Sequence, residues 1–248
     1  MSKDQPCTNV LLTSAPEDSE YFLEALKIAP VEIHHLPLEK YVAVDVDHNA
    51  LEREIADSEN IVYGHKRNAA FLMELIEEND LLPIVTERVN LAGDPRTAEF
   101  LEKRGIPAIY PGSEEPIKML EFLMRLRRLG TVFYPCGVDQ KEELPGLFKE
   151  LDIEVHEHVL YELDGPAENE LAAFRRVVDK IEFDTIICHS RRSVTRIQAA
   201  FPGLFDSDAE IIAADKGVAK KLQDNDVEAD KIAEGDWNSI LEQLKEMH

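Results

Sequence analysis

Short apolar runs alternate along the chain with stretches whose apolar positions recur every three or four residues. The runs are rich in β-branched residues and predict buried strands, while the recurring positions predict amphipathic helices. Strands are expected at 9–13, 31–36, 60–63, 131–134, 153–156, 185–188 and 209–214, with short extended pieces at 83–85, 89–92, 107–110 and 227–229. Helices are expected at 16–26, from 51 to 55 onward, and at 69–77, 117–129, 168–178, 218–222 and 237–244. Two more would carry Ala98 with Leu101, and Leu144 with Leu147 and Phe148. In the helix from 117, Leu120, Leu123, Met124 and Arg127 share helical spacing, and Met119 and Met124 read as core filling. Residues 37–46 look irregular or extended, and Asp164-Gly165-Pro166 is a break. Strands alternating with helices through short turns give the α/β class with parallel sheets.

The segment from Asp184 to Ile197 shows the pattern most clearly. Thr185 to Cys188 is a buried-strand run, Ser190 is suited to cap a helix, and Val194 and Ile197 fall on one helix face. Part of it recurs. Tyr63-Gly64-His65-Lys66-Arg67-Asn68-Ala69 aligns with Cys188-His189-Ser190-Arg191-Arg192-Ser193-Val194, an offset of 125 (63 to 188). Val31 to His34 resembles Ile153 to His156, and Val10 to Thr13 lies opposite Val132 to Pro135, both at an offset of 122. Ala92 to Leu101 aligns with Ala213 to Leu222, and Leu120 to Leu123 with Leu241 to Leu244, both at 121. An ordered series at a domain-sized period implies two similar flavodoxin-like or Rossmann-like halves, expected to face each other across a cleft.

The 248 residues suffice for one large or two small domains, and an apolar share of 44% allows a sizeable core. No apolar run approaches the roughly 18 residues of a membrane span, and the N-terminus lacks a signal-peptide pattern, so the chain is read as cytoplasmic. Fifty acidic against 27 basic residues give a formal charge of −23. Such a surface repels nucleic acids and anionic membranes, and suggests adaptation to high salt. Cys7, Cys136 and Cys188 are too few and too scattered for a disulfide framework, and no Cys or His group has metal-site spacing.

Candidate chemistry concentrates at helix starts. Ser190, Arg191, Arg192 and Ser193 form one donor set, Gly64, His65, Lys66 and Arg67 with Asn68 form another, and Thr97 beside Arg96 a third. Helix-start N–H groups and arginine forks suit carboxylates or phosphates. The same residues also suit ordinary capping and solvated charge. Asp94 and Asp215 occupy equivalent turns, where capping is the favoured reading over holding water. Ser190 next to His189 is not an activated nucleophile, and no glycine-rich nucleotide loop is present.

These motifs resemble uroporphyrinogen-III synthases over nearly the full chain. That family often carries Phe-Thr-Ser-x-x-x-Val at a strand-to-helix turn. Residues 188–194 keep Ser190 and Val194, and residues 63–69 are a weaker copy. Asp94 to Leu101 keeps the Thr, Ala and Leu of Gly-x-x-Thr-Ala-x-x-Leu, with Asp94 for Gly, and Asp215 to Leu222 has Val218 for Thr. Gly137 is kept where the family has Arg-Gly, while Cys136, Lys141 and Ser14 fall where arginines are common. Val159 to Glu162 resembles the family's Val-Tyr segment.

The resemblance implies two lobes, residues 1–36 with 163–248 and residues 41–159, joined by a two-stranded connector at 37–40 and 160–162. It implies conversion of the linear tetrapyrrole hydroxymethylbilane to uroporphyrinogen III, with loss of water and inversion of ring D. As usually drawn, the terminal hydroxyl leaves an azafulvene, ring D attacks to give a spiro intermediate, and fragmentation and reclosure follow. No metal or organic cofactor is implied. The protein would act as a monomer in tetrapyrrole and heme biosynthesis, receiving substrate from the preceding enzyme. Backbone donors near Gly64, His65, Thr97 and Ser190 would bind the acetate and propionate groups. Tyr161 would either help the hydroxyl leave or merely pack the connector, and Arg191 and Arg192 would either bind substrate or face solvent. A non-catalytic tetrapyrrole-binding or regulatory domain of the same fold is the alternative. Since salt screens the self-repulsion of a −23 chain, the thermal midpoint should rise between low salt and molar KCl. A midpoint that stays level or falls would contradict the halophilic reading.

Overall fold

A computed structural model describes residues 8–27, 31–126, 130–138 and 143–246. Cys7, Arg127 and Lys141 lie outside them. The chain begins with β1 (Thr8–Leu12), α1 (Pro16–Leu26) and β2 (Val31–His35). It continues through β3 (Lys40–Ala43), α2 (His48–Asp57), β4 (Asn60–Tyr63), α3 (Lys66–Glu78), α4 (Leu82–Thr86) and β5 (Val89–Ala92). Next come α5 (Pro95–Glu102), β6 (Ala108–Ile109), α6 (Pro116–Arg125), β7 (Val132–Gly137), α7 (Glu143–Glu150) and β8 (Val155–Asp164). It ends with α8 (Glu168–Val178), β9 (Thr185–Cys188), α9 (Arg191–Ala200), β10 (Glu210–Ala213), α10 (Lys216–Gln223), β11 (Lys231–Ile232) and α11 (Trp237–Glu246).

The chain splits into an outer unit, Met1–Lys40 with Asp164–His248, and an inserted unit, Tyr41–Leu163. The outer sheet has the order β11-β10-β9-β1-β2, and its four pairings are parallel. The inserted sheet has the order β3-β8-β7-β4-β5-β6, with parallel pairing from β8 to β6. Connecting strands β3 and β8 lie side by side in this sheet. Read from β11 and from β6, the two orders match strand for strand, and β3 is the inserted unit's addition. The repeat read from the sequence pairs β1 with β7, β2 with β8, β4 with β9 and β5 with β10, and each pair holds the same place in its sheet.

The strands read as continuous apolar runs because helices cover both faces of a parallel sheet. Val10, Leu11, Leu12, Ile186, Ile187 and Cys188 are wholly buried in the outer core. In the inserted unit successive residues serve opposite faces. Ile61 and Tyr63 pack with Phe133 on one side, while Val62 packs with Val132 and Tyr134 on the other. No helix among the described residues is long and apolar enough to cross a membrane.

Several elements differ from expectation. Residues 83–85 are not extended but belong to α4, where Pro83 suits the first turn and Val85 N–H bonds Leu81 O. Residues 40–43 form a regular strand, and the strand expected at 153–156 starts at Val155 and runs on to Asp164 as β8. The last short strand lies at 231–232 rather than 227–229. Met124 is 62% exposed and fills no core, because α6 turns Met119, Leu120 and Leu123 inward instead.

The duplicated turns share their capping geometry. Asp94 has φ −145° and ψ 161°, and Asp215 has φ −155° and ψ 176°. Their Oδ1 atoms accept the N–H groups of Thr97 and Val218, both at 2.8 Å. Each aspartate therefore satisfies an N–H that the helix itself cannot pair. Asp94→Ala and Asp215→Ala should each cost about 1 kcal/mol, seen as lowered urea midpoints. A loss at only one of the two would contradict equivalent caps.

Candidate functional site

In an open parallel sheet, ligands bind outside the carboxyl ends of the strands, where the strand order reverses. That point lies between β4 and β7 in the inserted unit and between β9 and β1 in the outer unit. Both predicted donor turns lie there.

In the inserted unit, Gly64 and His65 follow β4, and α3 starts at Lys66. His65 occupies the cap position in extended conformation without a side-chain cap bond. Gly93 N–H bonds Tyr63 O at 2.8 Å, and a Cβ on Gly93 would come within 2.4 Å of Gly64 O. This close approach requires glycine. A cleft of ≈370 Å³ opens beside Gly64, His65 and Gly93, with Ser113, Glu115 and Tyr134 on its walls. The Arg67 guanidinium lies 3.7 Å from the ring centre of Tyr41 and 5.7 Å from that of Tyr161.

Tyr161 is 2% exposed and belongs to the core of the inserted unit. Its hydroxyl donates to Asn68 Oδ1 at 2.5 Å. The ring stacks on Phe71 at 4.7 Å and meets Tyr41 edge-on at 5.6 Å. The ladder between β7 and β8 shifts register after Cys136, bringing Gly137 opposite Tyr161. A Cβ on Gly137 would stand 2.5 Å from Tyr161 Cε2, so this glycine makes room for the ring.

Two predicted donors turn inward, toward their own caps. Thr97 is wholly buried, with its N–H and its Oγ1 hydroxyl both donating to the Asp94 carboxylate, at 2.8 and 2.6 Å. Both groups are thus engaged within their own turn. Ser193 is likewise buried, and its Oγ accepts Ser190 N–H at 3.1 Å and donates to Ser190 O at 2.7 Å. Ser190 Oγ in turn accepts Ser193 N–H at 3.0 Å. Ser193 therefore completes a reciprocal cap instead of facing a ligand. Lys66, Arg191 and Arg192 are exposed, and Arg191 lies over Gly217, at the start of α10.

The outer unit also holds polar groups that the sequence did not single out. His189 Nε2 lies 3.0 Å from Glu39 Oε2, and Glu39 Oε1 lies 3.8 Å from Arg196 Nε. His35 Nε2 bonds Ser14 O at 2.9 Å. Burial lowers the His35 pKa below its ordinary value. The Ser14 bond opposes this, and nearby His189 adds to the lowering. Glu39 and His189 are 150 positions apart, and Asn68 and Tyr161 are 93 apart, so no local pattern could reveal either pair. Burial raises the thiol pKa of Cys136 to about 11 and of Cys188 to about 12, leaving both unreactive near neutral pH. No cluster of metal-ligating side chains occurs among the described residues. A larger hollow, ≈950 Å³, lies at the opposite sheet edge of the outer unit beside Phe183, Asp184 and Glu210. No predicted site residue lines it.

Residues 68–236 match the family model described as Uroporphyrinogen-III synthase HemD. The chain belongs to the uroporphyrinogen-III synthase family. It is similar to the uroporphyrinogen-III synthetase of Helicobacter pylori, with TM-score 0.65 and 16% identity, over 98% of this chain and 100% of that one. A mutant uroporphyrinogen III synthase from the extremely thermophilic bacterium Thermus thermophilus gives TM-score 0.55 and 15% identity, over 97% and 98% of the two chains. At such identities these likenesses concern the fold. No curated protein matches the chain in sequence. Membership of the synthase family makes the chain one of the lyases of tetrapyrrole and heme biosynthesis, with a tetrapyrrole substrate.

Gly137→Ala should lower stability by about 1–3 kcal/mol through overpacking against Tyr161. Urea unfolding measures this, and an unchanged midpoint would show that the ring is not held against the glycine.

Proposed function

We propose that this chain cyclises hydroxymethylbilane to uroporphyrinogen III, with loss of water and inversion of ring D. The carrying observation is the family match, which runs from residue 68 to residue 236 and so includes parts of both units. The donor turns beside the two strand-order reversals support the reading. The acetate and propionate groups of the substrate are assigned to Gly64, His65, Lys66 and Arg67 in the inserted unit. In the outer unit they are assigned to Ser190, Arg191 and Arg192. Helix-start N–H groups supply directed donors there, and the cations add charge-assisted bonds. These local donors act at short range, where the acidic surface is screened. Holding a flexible bilane with its ends together is the main catalytic demand of such a cyclisation.

Tyr161 is assigned as the hydrogen-bond donor that helps the hydroxyl leave. Its single hydrogen is donated to Asn68 Oδ1 in this structure, so the role requires that bond to be exchanged for one to the substrate hydroxyl. A phenol is a weak acid at neutral pH, so its share is modest. The burial of Tyr161 and the inward turn of Thr97 and Ser193 favour a second reading, a domain that binds tetrapyrroles without turnover.

Incubation with fresh hydroxymethylbilane in high salt, followed by oxidation and isomer analysis, tests the proposal. Isomer III above the spontaneous isomer I background is expected. Isomer I alone from folded protein that binds a tetrapyrrole would select the second reading. Tyr161→Phe should slow isomer III formation about tenfold, near 1.4 kcal/mol, and unchanged turnover would remove Tyr161 from the reaction.

A further inference from the structure

The outer unit keeps a set of buried polar atoms that the carboxylate-binding turns leave unused. In the register of β1 and β9, Leu12 sits beside Ile187, so Ser14 and His189 follow two positions on, where the strand order reverses. The side chains of His189 and Glu39 are 9% and 4% exposed. An ionised carboxylate only accepts, so the His189 nitrogen facing Glu39, Nε2, carries the hydrogen. In the neutral ring, Nδ1 then presents a lone pair. Trp237 stacks on the imidazole at 6.0 Å and 19°, which fixes its plane. Arg196 steadies Glu39 and donates to the carbonyls of Leu38 and Asp164.

Among the described residues, His189 Nδ1 nevertheless has no hydrogen-bond partner, and neither do the wholly buried hydroxyls of Thr13 and Ser14. An orphaned buried polar group is destabilising, so a histidine kept only for packing gains nothing from this arrangement. An imidazole aimed by a carboxylate, with its other nitrogen buried and unpartnered, can act as a general base once substrate binding uncovers that nitrogen. The acceptor suits a pyrrole N–H, which the linear tetrapyrrole carries on each ring.

We propose that His189 is a base of the cyclisation, with Glu39 and Arg196 as its positioning residues. This rests on the function proposed above. The N–H bond of the hydroxymethyl-bearing ring breaks, and its proton passes to Nδ1. The electron pair left on nitrogen forms the C=N bond of the azafulvene, and the ring electrons form its exocyclic C=C bond. The C–O bond breaks with its pair on oxygen, which takes one proton from solvent and departs as water. When the exocyclic carbon is attacked, the ring nitrogen regains its pair and takes the proton back from Nδ1. The ring carbon that finally closes the macrocycle releases its proton to solvent, and the net loss is one water.

The test measures isomer III formation by the full chain for wild type, His189→Gln, His189→Ala and Glu39→Gln, each checked for folding by near-ultraviolet circular dichroism. Both His189 variants should lose at least about 100-fold in kcat, with KM little changed. Added imidazole should restore part of the His189→Ala rate and none of the His189→Gln rate, and Glu39→Gln should show a smaller loss in kcat. His189→Gln within threefold of an active wild type overturns the assignment and leaves the proposed function standing. A folded His189→Ala that imidazole does not rescue makes the histidine structural and also overturns it. If His189→Ala does not fold, the near-isosteric His189→Gln decides by its rate. Wild type that makes no isomer III overturns the base and the proposed function together.

Discussion

The half-buried guanidinium of Arg196 is the constraint on which the outer unit's site depends. It reaches from α9 to the carbonyls of Leu38 and Asp164, the segments by which the chain leaves and re-enters this unit. It also lies beside the Glu39 carboxylate, which is 3% exposed. A carboxylate taken out of water needs such a partner, because its desolvation is not otherwise offset. Glu39 in turn holds His189, the residue between the end of β9 and the Ser190 cap. One cation thus ties the chain crossings, the strand end and the start of α9 to each other.

The inserted unit solves the same problem by packing. Tyr161 is held by a hydrogen bond to Asn68, by the rings of Phe71 and Tyr41, and by the space that Gly137 leaves. The two units share strand order and caps but not the means of fixing their key side chain. In the aligned turns, His189 corresponds to Gly64 and Ser190 to His65, so the donor turns have diverged even though their backbones remain alike. Duplication preserved the frame, since strand order and capping are set by backbone requirements that many side chains meet.

Much of that frame was legible in the sequence because buried parallel strands and capped helices leave local signals. Val10 to Leu12, Thr185 to Cys188 and the Ser190 turn all read as they fold. Legibility failed where a short segment has weak local preference. Leu82–Thr86 is apolar enough for a strand, yet a proline at its first turn and the Leu81 carbonyl make it helical. It failed again at the site, where Glu39 with His189 and Asn68 with Tyr161 meet only through the tertiary fold. Thr97 and Ser193 were visible as helix-start hydroxyls, but their inward direction depends on the caps beside them.

In the proposed function, the carboxyl-edge turns of each unit bind tetrapyrrole carboxylates. Hydrogen–deuterium exchange with and without uroporphyrinogen III, kept reduced and in high salt, tests this directly. Slowed exchange is expected at residues 64–67 and 190–192, with no change around Phe183 and Glu210. Protection confined to that opposite edge, or absent from both turns at saturating ligand, would contradict it.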